Sequence, residues 1–549
     1  LYEFINHMIY FNLNIMKYKN ILFFLIINIL IGCSVAVTPV DKAIEDQILY
    51  LGNGTEPQDL DPHIVTGVPE HNIIISLLEG LTISNPNGGD PLPGTAESWE
   101  ISTDGRVFIF NIRKEALWSN GDNVTAHDFV YSWKRILTPL LGAQYADMLY
   151  VIKNAENFNK GNLTDFSKVG VKAIDSKTLR VELNNSTPYF LKLLSHYSTY
   201  PVHKDTIEKF GKIDTRGSKW TRQENFVGNG AFILKDWKLN KLIVVKKSST
   251  YWNSKIVSLN EIHFFPIEDV SREDRMYRSG YLHLAYSVPQ EKIQNYKLKY
   301  PNEIHIDPYF GTYYYRINTR KEPFNDLRVR QALSLSINRN DIVQKVVKGG
   351  QLAAFSFTPP NKSGYYPNTK LVFNPIKAAS LLKEAGYDQN NFPKVEFLYN
   401  TSEGHQKVAQ AIQQMWKVNL GIDVELINVD WKVYLSREQT GDFFISRAGW
   451  IGDYPDPNSF LDMMVSGRGN NKTGWSNSIY DNLIREAASS QTDEERNSFF
   501  NSAEQILIEE LPIIPIYTYT RVYMLHPDVK GWSPNVLDTH PYQFIRLEK

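Results

Sequence analysis

The chain has 549 residues, 42% hydrophobic and 13% aromatic, which is enough for large cores and for more than one domain. Lys and Arg total 59 against 60 for Asp and Glu, a formal net charge of -1. That balance gives no reason to expect nucleic acid or an acidic polymer as a partner. From Met16 the sequence runs MKYKNILFFLIINILIGC. Lys17 and Lys19 form a cationic start, and Ile21 to Ile31 an apolar run too short to stand permanently across a bilayer. Residues 16–32 therefore read as an export signal and residues 1–15 as upstream sequence. Leu30-Ile31-Gly32-Cys33 matches the bacterial lipobox, in which a small residue precedes a cysteine that takes lipid. The competing reading is a chance cysteine after an uncleaved anchor. Cys33 is the sole cysteine, so its acylation leaves no thiol and excludes disulfides. Residues 33–47 read as a lipid-anchored polar tether.

In chain order, Gln47 to Leu51 is the first expected strand, followed by strands at Val107 to Arg113, Thr178 to Leu183 and Leu242 to Val245. Thr125 to Leu137 predicts a helix capped by Thr125, with Asp128 in its first turn and Phe129, Val130, Trp133 and Ile136 on one face. After residue 310 the pattern becomes more helical, with helices over Asp326 to Ser336 and Arg339 to Val347. Pro375 to Ala385 carries Pro in its first turn and Gly386 as its stop. A strand at Val395 to Tyr399, a helix at His405 to Val418 and a strand at Asp423 to Val429 give a βαβ rhythm, hence a parallel sheet with crossover helices. Ligands in such sheets sit at strand C-termini, which directs attention to the loops after Tyr399, Val429 and Ile445.

Reactive motifs are missing. There is no G-x-S-x-G elbow, no H-E-x-x-H, no phosphate loop and no cysteine nucleophile in the mature body. The 12 histidines are scattered, so no metal site is expected. One stretch does carry information: Arg447-Ala448-Gly449-Trp450-Ile451-Gly452-Asp453-Tyr454-Pro455-Asp456-Pro457, read as leaving the sheet after the strand Phe443 to Ser446. Its prolines stiffen the exit, and Gly449 and Gly452 permit close approach of another backbone. Asp453 placed there could face a ligand's ammonium group. Equally, Asp453 could cap a turn and Trp450 fill a core.

The chain resembles the oligopeptide-binding proteins of bacterial ABC importers. The resemblance rests on Leu60-Asp61-Pro62-His63, Gly67-Val68-Pro69-Glu70, Leu78-Glu79-Gly80-Leu81, Trp118-Ser119-Asn120-Gly121, Val124 to Trp133, Thr312 to Tyr315, Pro323-Phe324-Asn325-Asp326, Arg328-Val329-Arg330 and Arg447 to Asp453. It covers nearly the whole mature chain. It implies an α/β fold of the type II periplasmic binding protein kind, two lobes closing about a hinge, with an extra domain packed on the first lobe. Domain I would comprise 48–78, 203–306 and 520–549, domain II 79–202 and domain III 307–519.

By position, the resemblance gives Val68, Gly449 and Ile451 the backbone groups that pair with an extended peptide, and Asp453 the ligand amine. Trp431, Trp450, Tyr145 and Tyr519 fall around side-chain pockets, and His405 and Arg447 where ligand carboxylates are met. The implied partners are short peptides with a free N-terminus, an importer's permease and ATPase subunits, and a membrane through the lipid on Cys33. A non-enzymatic, extracytoplasmic monomer without cofactor is expected. The alternatives are the same scaffold around a cell-wall peptide, haem or a metal chelate, and an exported hydrolase. Three positions depart from the pattern: Thr66 stands where an acidic residue faces the arginine at 447, Glu438 replaces a basic residue, and Val347 a lysine. They leave amine capture intact and put peptide length in question.

Overall fold

The computed structural model describes residues 1–3, 5, 8, 37–360, 364–490 and 492–549. The export signal and Cys33 lie outside the described residues. Within the stretch read as a tether, Pro39–Asp46 is instead a helix. Thr38 caps it and Asp41 closes the capping box, while Val40 and Ala43 are buried, so this segment packs onto the body rather than hanging from it.

Eleven strands form one large sheet. In chain order they are β1 (Ile48–Gly52), β2 (Phe232–Lys238), β3 (Leu242–Lys247), β4 (Glu261–Phe265), β5 (Leu284–Ala285), β6 (Ile304–Ile317), β7 (Leu352–Ala353), β8 (Val395–Asn400), β9 (Val424–Val429), β10 (Ile445–Ile451) and β11 (Ile513–Leu525). Across the sheet they run β9-β8-β10-β6-β11-β5-β1-β4-β3-β2, with β7 beside β11. The expected parallel pairing is present between β8 and both β9 and β10, but β10 meets β6 antiparallel, so the sheet is mixed.

The two longest strands, β6 and β11, join the halves of this sheet. Ile304 to Pro308 pair with Met524 to Thr520, then the register shifts, and Thr312 to Arg316 pair with Thr518 to Ile513. Tyr309, Phe310 and Gly311 therefore stand against Tyr519 alone. Such a bulge bends the ribbon and raises its twist, and here it lies where the halves part.

A separate four-stranded antiparallel sheet, ordered Ala96–Ile101, Val107–Ile112, Thr178–Glu182, Val171–Ala173, carries the helix Ala126–Leu137. Asp128 accepts from the Thr125 N–H and hydroxyl at 2.7 and 2.8 Å, as the capping pattern predicts, and Phe129, Trp133 and Ile136 are fully buried. Arg135 on the same helix forms a bidentate pair with Asp61 (2.9 and 2.6 Å), fastening this unit to the segment before Val68. Thr125→Ala is expected to cost about 1 kcal/mol of folding free energy, measurable as a shifted urea midpoint at unchanged slope.

The segment from Arg447 differs from expectation. It does not leave the sheet after Ser446 but continues as β10 to Ile451, because seven consecutive residues from Gly311 to Ile317 pair with it. No helix among the described residues is long and apolar enough to cross a membrane.

Candidate functional site

A cavity of about 510 Å³ lies where the four-stranded unit, the helix Val68–Leu77 and both halves of the large sheet converge. All ten residues singled out from the sequence line it: Val68, Tyr145, His405, Trp431, Arg447, Gly449, Trp450, Ile451, Asp453 and Tyr519. Thr66, Val347 and Glu438, the three departures, line it too.

One wall is an unpaired strand edge. β8 covers β10 only opposite Ile445 and Ser446, so among the described residues no strand lies beyond Arg447 on that side. The Gly452 N–H donates to the Phe310 carbonyl of β6 at 2.8 Å. Since backbone polar groups alternate along a strand, those of Ile451 and Gly449 face the opposite, open edge. Gly449 has a second reason to be glycine: a Cβ there would collide with the Tyr519 hydroxyl. Facing this edge, Val68 opens the helix Val68–Leu77 after Gly67, which supplies no side-chain cap. That leaves leading N–H groups of the helix to other acceptors.

Asp453 follows this edge and is 9% exposed. Its backbone N–H donates to Ser459 Oγ at 2.6 Å, which fixes the turn. Among the described residues, no Lys or Arg pairs with its carboxylate. The basic side chain that reaches it is His196, with Nε2 at 3.4 Å. His196 Nδ1 accepts from the Ser198 N–H at 3.3 Å, so the ring proton sits on Nε2. Burial and then His71 hold that ring's pKa far below the ordinary range, so it is a neutral donor. Burial pushes the Asp453 carboxyl up to about 8, with Asp147 adding to it and hydrogen bonds from Tyr145 and Ser459 opposing. Trp450 is nearly buried, and its indole N–H is spent on the Ser459 carbonyl at 2.7 Å. Tyr145 lies against it, ring centroids 6.3 Å apart.

Arg447 presents the opposite sign. Its guanidinium donates to the Tyr519 hydroxyl (2.8 Å) and Asn400 Oδ1 (3.4 Å) and lies 4.8 Å over the Tyr313 ring. Its Nε has no partner, and among the described residues no carboxylate pairs with it. Thr66 lines the same cavity and brings no charge, so this half-buried cation is uncompensated among the described residues. His405, in the first turn of the helix Glu403–Leu420, is held neutral by burial and by Arg447.

Trp431 begins the helix Trp431–Thr440, whose residues 431, 434, 435, 438 and 439 all face the cavity. The i, i+3, i+4 spacing could have marked Tyr434 and Leu435 as well. Glu438, expected to disturb a basic set, is paired with Arg316 at 2.5 Å and accepts from the Ser446 hydroxyl at 2.6 Å. The neighbouring Arg437 turns away to Glu396 and Asp442. His196, Arg316 and Lys472 also line the cavity and were not singled out, since no local pattern marks them. Among the described residues no cluster of three or more His, Cys, Asp or Glu is placed to hold a metal ion.

A family model described as bacterial extracellular solute-binding proteins, family 5 Middle, matches residues 90–472. The periplasmic oligopeptide-binding protein OppA of Escherichia coli (strain K12) is 41% identical over 500 residues, 89% of this chain and 90% of its own. The crystal structure of Haemophilus influenzae OppA in complex with RPPGFSPFR superposes with a TM-score of 0.88 at 36% identity, covering 92% of this chain and 99% of that one. The Escherichia coli murein tripeptide binding protein MppA gives 0.87 at 36% identity over 91% and 98%. An unliganded open form of MppA, at the same identity and over 92% and 98%, gives only 0.62. The jaws here are therefore set as in the former arrangement, not the open one.

Proposed function

Because the chain belongs to the bacterial extracellular solute-binding proteins of family 5, a family of binding proteins rather than enzymes with the type II periplasmic binding architecture, we propose that its cavity captures short peptides by their free amino terminus. The observation that carries this reading is Asp453, a buried carboxylate with no cation of its own. A buried charge left alone is strongly unfavourable, and a ligand ammonium supplies the missing partner. The open edge at Gly449 and Ile451 supports pairing of the peptide backbone as an added strand, which any sequence can provide. Arg447, half-buried and without a carboxylate among the described residues, supports capture of the peptide's carboxyl end. Arg447 lies within β10 and Asp453 just beyond its end, and both line the one cavity, so an extended peptide along this edge can meet both.

Trp431, Trp450, Tyr145 and Tyr519 would then bound the side-chain spaces, with His405 a neutral hydrogen-bonding group beside Arg447. Outside the cytoplasm the protein would hand its cargo to the permease of an ABC importer, whose ATPase subunits drive uptake. Lipid on Cys33 would hold the protein at a membrane while it works as a monomer. Calorimetry with unrelated peptides of three to six residues tests the reading. Saturable binding is expected for all, with affinities within about tenfold across sequences at the preferred length, because backbone and terminal contacts are shared. Absence of binding across the panel would overturn it.

A further inference from the structure

At one end of the cavity the wall is built by Arg316, Glu438, Gln439 and Lys472. We propose that this end is a side-chain subsite selective for an acidic residue of the ligand, with Lys472 as the group that selects it. The proposal rests on the peptide reading above and adds a preference to it. Arg316 and Glu438 are both nearly buried and neutralise one another at 2.5 Å. Lys472 is then a cation in excess. Among the described residues its ammonium donates only to neutral acceptors, Gln439 Oε1 at 2.8 Å and the Gly469 carbonyl at 2.5 Å.

The other charges that bear on Lys472 are Asp147 and Arg216. Asp147 lies with Arg468, and Arg216 donates to the Leu141 and Gly142 carbonyls at 2.6 and 3.0 Å. Burial, then Arg316, lowers the Lys472 ammonium to about 8, so it is mostly charged at neutral pH and not fully compensated. Its loop is fixed. Asn471 accepts from the Thr473 N–H and hydroxyl (3.3 and 2.7 Å) and donates to the Met464 and Trp475 carbonyls (3.0 and 3.1 Å). Gly469 packs so tightly on the Gln144 backbone of the opposite jaw that a Cβ would collide with it. A carboxylate entering this corner would meet a preset cation whose present partners are two weak acceptors.

The test is calorimetry with tetra-alanine and with the same peptide carrying Glu, Gln or Lys at each position in turn. At one interior position Glu is expected to bind about tenfold more tightly than Gln, the scale of one charge-assisted hydrogen bond, and Lys more weakly than Gln. In Lys472→Met the Gln-to-Glu ratio of dissociation constants should fall to about one; the ratio cancels any general change in affinity. Tetra-alanine binding without a Glu preference at any interior position, a preference for Lys, or a Glu preference that survives Lys472→Met overturns the subsite alone. Failure of tetra-alanine and its whole series to bind overturns the subsite, and failure of the panel of three to six residues as well sinks the peptide reading with it.

Discussion

Acetylating the amino terminus of a peptide ligand is expected to weaken its binding by about two to three orders of magnitude at pH 7. With no ammonium to meet, Asp453 must close into the cavity either as a lone carboxylate or as the neutral acid. The acid is the cheaper choice. Its pKa rises from an ordinary 3.8 to about 8 on burial, so taking up the proton at pH 7 costs about 4 kcal/mol. Because the closed state has the higher pKa, the blocked complex is fully stabilised only below about pH 4, and that stabilisation is lost as the pH rises toward 8.

The penalty for acetylation should therefore shrink about tenfold for each unit by which the pH falls from 7 to 5. Free-amine peptides, which keep the carboxylate ionised, should change little over that range. Calorimetric affinities for a matched pair at pH 5, 6 and 7 measure this. A ratio near one at pH 7, or one that does not move with pH, would be inconsistent with Asp453 as the amine partner. The same energetics bear on the empty protein, since closing without ligand also requires Asp453 to take up a proton. At neutral pH that cost favours jaws that stay apart until a cation arrives, a population shift driven by differential affinity for the two arrangements.

The parts of this site written in one continuous stretch were legible from the sequence. Gly449, Trp450 and Asp453 sit on a single strand and its exit; their types allow a backbone approach ending in a carboxylate and equally a capped turn beside a core Trp, and the resemblance is what favours the first. The path of that stretch was not legible. Nothing local says that Arg447 to Ile451 extend β10, because the partner is β6, more than a hundred residues earlier. His196 and Lys472 were hidden for the same reason. Each is an isolated polar residue in a loop, brought to Asp453 in one case and to the cavity's end in the other by the tertiary fold alone. The helix at Pro39–Asp46, by contrast, is written locally, with Thr38 and Asp41 spaced as a capping box, Pro39 in the first turn, and Val40 and Ala43 three apart on one face. The bulge between Pro308 and Thr312 depends on how β11 lies against β6, a tertiary fact.

Replacing Asp453 by Asn separates the charge from the shape. Asn is close to isosteric, and the turn is held through the residue's backbone N–H on Ser459 Oγ, which the substitution keeps. The fold and the neighbouring Trp450 contact should therefore persist, checked by an unchanged thermal midpoint. What disappears is the countercharge. A free-amine peptide must then bury its ammonium beside neutral His196 and Tyr145, or lose its proton, and affinity is expected to fall by tenfold or more. An acetylated peptide should behave the other way, binding the variant more tightly than the wild-type protein because no carboxylate has to be protonated. The acetylation penalty of two to three orders of magnitude should thus contract to within about tenfold in Asp453→Asn, and this coupling between one ligand group and one side chain is what a double-mutant cycle isolates. Unchanged affinity of the variant for free-amine peptides would place the amine elsewhere. Persistence of the full acetylation penalty would show that the N-terminus is read by something other than this charge.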